Sequence, residues 1–103
     1  MPDVKKVKRK DVLDFLFNKE SESNKIVVLF ESTQEKNKFS NKIESEIKDS
    51  QGFVLDRTRP FRVTNSIVEL NDKKVVLGIK HHEESLINHY ENEEIAYYEE
   101  GQD

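Results

Sequence analysis

Ile26-Val27-Val28-Leu29-Phe30-Glu31-Ser32-Thr33-Gln34-Glu35 is the stretch that decides how this chain is read. Its first five residues are continuously apolar and mostly β-branched, the pattern of a strand covered on both faces. Ser32 and Glu35 then stand three apart, as in a capping box, where hydroxyl and carboxylate satisfy the open backbone N–H groups of a new helix. A helix is expected from about Thr33 to Asp49. Phe39, Ile43 and Ile47 recur every four residues along it, a narrow apolar stripe that lays the helix on a surface with its charged sides in water. Gly52 is placed to end it in the left-handed conformation.

Outward from this core, Phe53-Val54-Leu55 reads as a second strand, so that strand, helix and strand form a right-handed βαβ crossover with parallel strands. Phe61 to Leu70 and Lys74 to Lys80 read as an antiparallel hairpin about Asn71-Asp72, residues that tolerate positive φ. The alternation shifts phase near Asn65, which predicts a bulge or bend. Upstream, Asp11 is expected to cap a short helix, Val12 to Asn18, packing through Val12, Leu13, Leu16 and Phe17. Downstream, a helix from Glu83 to about Asn92 is expected to turn Leu86, Ile87 and Tyr90 inward. The expected fold is a single α+β domain of order α-β-α-β-β-β-α with a mixed sheet. It occupies residues 11–92, between a basic N-terminal arm (1–10) and an acidic C-terminal tail (93–103).

Charge is distributed unevenly. Residues 81–103 hold eight acidic side chains and no Lys or Arg, whereas residues 1–80 hold 17 basic and 13 acidic ones; the overall net charge of −4 therefore conceals a +4 portion and a −8 portion. Such a block is either a solvated end or a surface that meets a basic partner. Apolar residues make up 34% and charged residues 37% of the 103 residues, on the polar side of globular composition. Bias toward Lys, Asn, Ile and Glu suits an AT-rich coding genome, such as that of a Firmicute or one of its phages.

Several chemistries lack their residues. With no cysteine there is no disulfide, thiolate nucleophile or Cys-based metal site. The three glycines are scattered, so phosphate-loop and dinucleotide-binding patterns are absent. His82 and His89 lie seven residues apart, roughly 10 Å along a helix, too far to share one zinc. In His82-Glu83-Glu84-Ser85-Leu86, Leu86 stands where a zincin needs its second histidine. No serine lies in a GxSxG elbow. No enzyme activity, metal or cofactor is expected. The longest apolar run, Ile26 to Phe30, is far short of the ~20 residues of a membrane-spanning helix, and no signal-type apolar stretch follows the Lys-rich start, so the chain is expected to be soluble and cytoplasmic. The segment from Ile26 to Tyr90 resembles thioredoxin-like domains in its apolar strand, following helix, Pro60 and hairpin leading into a helix. Glu31-Ser32-Thr33-Gln34 occupies the place of that family's redox CxxC, so the resemblance implies no redox activity here.

Two sites are expected. Tyr90, Glu91, Glu93, Glu94, Tyr97, Tyr98, Glu99 and Glu100 compose an acidic, tyrosine-bearing surface for a basic protein partner, as in an adaptor or an inhibitor that imitates nucleic-acid charge. Ser32 and Thr33, at a helix start beyond a strand's carboxyl end, together with Arg57, Arg59 and Arg62, compose an alternative site for a small anion or nucleotide. A nucleic-acid-binding protein that uses the basic arm is the third reading, and the sequence pI of about 5.4 counts against it.

Overall fold

The structure is a computed structural model that describes residues 5–18, 24–51, 61–89 and 94–99. Within them the chain runs through β1 (Lys6–Val7), α1 (Arg9–Phe17), β2 (Lys25–Phe30), α2 (Thr33–Gln51), β3 (Phe61–Val63), β4 (Ile67–Leu70), β5 (Lys73–Ile79), a 3₁₀ turn (Lys80–His82), α3 (Glu83–His89) and β6 (Glu94–Tyr98). The strands form one mixed sheet in the order β1-β6-β2-β5-β4-β3. β2 pairs in parallel with β5 and β6, and β6 in parallel with β1, while β3, β4 and β5 meet antiparallel. The α+β class with a mixed sheet is as expected. The strand expected at Phe53–Leu55 and the Gly52 terminus lie outside the described residues.

β2 is covered on both faces. Val28 and Phe30 pack with Val12 and Leu16 of α1 and with Phe39, Ile43 and Ile47 of α2. Val27 and Leu29 join a smaller apolar group that includes Leu86 of α3, so α3 lies across the sheet from α1 and α2. Helix α2 starts where Ser32 predicts: its Oγ accepts the Glu35 N–H at 3.2 Å, and the stripe Phe39, Ile43 and Ile47 is fully buried. Close packing of α3 on the sheet depends on Gly78, because a Cβ there would stand 2.3 Å from Leu86 Cδ1.

The hairpin about Asn71-Asp72 is present, with φ of 53° and 66° at the two turn residues, the left-handed pair of a tight turn between β4 and β5. The phase change near Asn65 is a full reversal rather than a bend. Thr64 organises it, its Oγ1 accepting the N–H groups of Ser66 and Ile67 at 3.1 and 3.0 Å while its own N–H reaches the Ile67 carbonyl at 2.8 Å. Reversal places Phe61 opposite Leu70 and Val63 opposite Val68, so both apolar sets face one core. Helix α1 begins at Arg9, three residues before the expected start; Asp11 acts inside the first turn, accepting the Lys8 N–H at 2.9 Å. Phe15 packs on the core in place of Phe17, which is 36% exposed, and Ile87 of α3 points outward at 44% exposure.

The largest departures concern the two ends. Lys6 and Val7 of the supposed basic arm form a strand, and Arg9 pairs with Glu46 of α2. Glu94–Tyr98, expected within the tail, is a strand between β1 and β2. Its backbone is paired on both sides, Ala96 is fully buried, and the Tyr98 ring lies 4.9 Å from Phe30 and 5.0 Å from Phe39 between centroids. The acids of this segment fall at the strand's two ends: Glu94, exposed, pairs with Lys5, and Glu99 follows the last residue, half-buried. Among the described residues no helix is long and apolar enough to cross a membrane.

Candidate functional site

Parallel strands bring their carboxyl ends to one edge of the sheet, and here the chain leaves two neighbouring strands toward opposite faces. From β2 it enters α2 on the side of the larger core; from β5 it passes through the 3₁₀ turn to α3 on the other side. Adjacent strands whose connections diverge leave a crevice beyond their carboxyl ends, the usual ligand position of such sheets. The structure has an open cleft of about 520 Å³ there, within the size range of small-ligand and side-chain pockets.

Each wall follows from a strand end. Glu31 is the residue after β2, Lys80 the residue after β5 and Glu99 the residue after β6, which Tyr97 and Tyr98 finish; Glu35 comes from the first turn of α2 and Lys6 from β1. Glu99 is held at this edge because its N–H donates to the Val7 carbonyl at 2.9 Å, and Tyr97 because its N–H donates to the Lys5 carbonyl at 2.8 Å. Side-chain alternation sends Tyr98 into the aromatic group with Phe30 and Phe39 and Tyr97 to the opposite face. Lys80 Nζ stands 3.4 Å from Glu31 Oε1 and 5.5 Å from the centroid of the Tyr97 ring, a carboxylate and an aromatic face around one ammonium. Three carboxylates and two ammonium groups leave the lining net negative by one charge. Glu83 and Glu84, at the start of α3, add acid beyond β5.

The expected acidic surface is thus split. Tyr97, Tyr98 and Glu99 line the cleft, whereas Glu94 begins β6 at the opposite edge, roughly 13 Å along the strand at the usual rise. Tyr90, Glu91, Glu93 and Glu100 lie outside the described residues. Of the expected anion site, Ser32 and Thr33 adjoin the cleft at the start of α2, and Arg57 and Arg59 lie outside the described residues. Arg62 is separated from Ser32. It sits on β3, three strand spacings or about 14 Å from β2, opposite Glu69, in a row with Lys74 and Lys25 at the amino end of β2.

Lys6, Glu31, Glu35 and Lys80 are cleft residues that were absent from both expected sites. The available signal was their position at strand ends, and it becomes legible only once the parallel partners of β2 are known to be β5 and β6. At the opposite edge a second open cleft, of about 430 Å³, is walled by Asn24, by the turn residues Asn71 and Asp72, and by Lys73 at the start of β5. Among the described residues no three His, Cys, Asp or Glu side chains are grouped to hold a metal ion, and His81 and His82 pack edge to face on each other at 5.2 Å. Comparison with protein-family models, with curated proteins and with solved structures finds no match to this chain.

Proposed function

We propose that this chain is a non-catalytic protein-interaction domain, an adaptor or inhibitor, that meets a basic partner through the crevice at the carboxyl ends of β2, β5 and β6. The observation that supports this reading is the convergence of Glu31, Glu35 and Glu99 with Tyr97 and Tyr98 on one open, net-negative cleft. Carboxylates steer a cationic surface toward the edge, and tyrosine rings provide rigid contact area once it arrives. An inhibitor whose carboxylates stand in for nucleic-acid phosphate is the specific form of this reading, and its setting is cytoplasmic.

The test uses polylysine as the basic probe and calorimetry as the readout. Glu31→Gln, Glu35→Gln and Glu99→Gln together are expected to lower affinity about tenfold, at the few tenths to one kcal/mol usual for each solvent-screened charge, and wild-type binding is expected to weaken with salt. Glu94→Gln changes the net charge at the other edge and is expected to leave binding nearly intact. Equal losses from Glu94→Gln and from each cleft substitution would reduce the effect to overall charge and refute the assignment.

A second reading has one observation in its favour: the capped start of α2, a 19-residue helix, adjoins the cleft into which Lys6 and Lys80 project. A helix N-terminus and two ammonium groups suit a small anion. In that case inorganic phosphate raises the melting temperature and Ser32→Ala with Lys6→Met removes the gain, while polylysine does not bind.

A further inference from the structure

We infer that the crevice seats one lysine side chain of the partner in the position between Tyr97 and Glu31 that the chain's own Lys80 fills, so that Lys80 is an internal competitor for the site. The inference rests on the reading of the crevice as a surface for a basic protein, and it names the group that anchors there.

The two halves of the seat differ in rigidity. Tyr97 belongs to a strand paired on both sides, and its ring packs with the apolar group around Val27, Leu29 and Val76. Glu31 follows a buried strand directly. The occupant is open to water as well: Lys80 begins the 3₁₀ turn directly after β5, and its side chain is 53% exposed, beside 70% for Glu31. An ammonium is a compact charge that needs no planar fork, so an aromatic face and a single carboxylate suffice to hold it. The pair is solvent-screened and therefore readily displaced. A partner's lysine replaces like with like, leaving Tyr97 and Glu31 as they are, and it approaches along a wall that also carries Glu99. Lys80 keeps the aromatic face covered when no partner is present and sets a threshold that the partner must exceed.

The experiment titrates hexalysine into the full chain by calorimetry at low salt. Lys80→Met removes the competitor; Lys6→Met removes the same charge from the same cleft but leaves the seat filled. Because an exposed pair of this kind holds its occupant only a few times more often than not, Lys80→Met is expected to tighten hexalysine binding roughly two- to sixfold more than Lys6→Met does. Tyr97→Leu in the Lys80→Met background is expected to cancel that difference, and Glu31→Gln serves the same purpose if the leucine variant does not fold. Equal gains from the two methionine variants, or weaker binding after Lys80→Met, would overturn the seat while leaving the acidic surface standing, provided that Glu99→Gln still weakens binding. If hexalysine binds no form of the protein, both the seat and the proposed function fall.

Discussion

Replacing Tyr98 by alanine tests whether the acidic end of the chain is a tail or a structural strand. The Tyr98 ring is within 5.0 Å of the Phe30 and Phe39 centroids, and those two rings are themselves 5.0 Å apart and almost fully buried. Truncation removes one corner of a three-ring cluster and leaves a cavity against α2. Fully buried aromatics replaced by alanine cost about 3–5 kcal/mol; Tyr98 is half-buried, so about 2–4 kcal/mol is expected. For a domain of this size each kcal/mol moves the melting temperature by about 4–8 °C, which puts the loss at about 8–32 °C in a melt followed by far-ultraviolet circular dichroism. Glu94→Gln with Glu99→Gln, which changes the charge of the same strand without touching the cluster, is expected to shift the melt by only a few degrees. A Tyr98→Ala protein that melts within a few degrees of wild type would refute the placement of β6 inside the sheet.

Gly78→Ala is expected to destabilise by about 1 kcal/mol, since the new methyl group meets the mobile end of Leu86 rather than backbone; combining it with Leu86→Ala should cost less than the sum of the two, which urea titration would check. Asp72→Gly is expected to raise the melting temperature by a few degrees by relieving positive φ in the tight turn, while Asn71, whose Nδ2 donates to the Leu16 carbonyl at 3.4 Å, is left in place. Thr64→Val is expected to cost about 1 kcal/mol, because the N–H groups of Ser66 and Ile67 lose the hydroxyl they share; Thr64→Ser should retain most of the stability.

What was legible in the sequence is local. The run Ile26 to Phe30, the Ser32 cap, the four-residue stripe of α2 and the Asn71-Asp72 turn each state their structure within a few residues, and each is found in place. What was hidden depends on distant partners. Ile95-Ala96-Tyr97-Tyr98 is a short apolar run flanked by acids, and composition masks it; it becomes a strand because β1 and β2, some 70 to 90 residues earlier in the chain, supply hydrogen bonds on both sides. Lys6 and Val7 carry no periodicity of their own and are extended because β6 is beside them. The same non-locality governed the site. The cleft lies beyond strands that are parallel to β2, and the identity of those strands is a property of the topology, whereas Arg62, grouped with Ser32 through its nearness in sequence to Arg57 and Arg59, sits on β3, three strands from β2.

β6 joins core residues and cleft residues in one five-residue segment, and alternation along a strand separates the two. Ala96 and Tyr98 face the larger core, while Ile95 and Tyr97 face the α3 side and Glu99 follows the strand at the cleft. Charge neutralisation at Glu99 therefore reports on the cleft, and truncation at Tyr98 reports on the core. Deleting the segment mixes the two effects, because the strand removed is an interior one and the apolar rows of β2 lose a neighbour on both faces. Lost partner binding after such a deletion follows from unfolding alone. Only substitutions that respect the alternation distinguish an acidic surface that binds from an acidic sequence that folds.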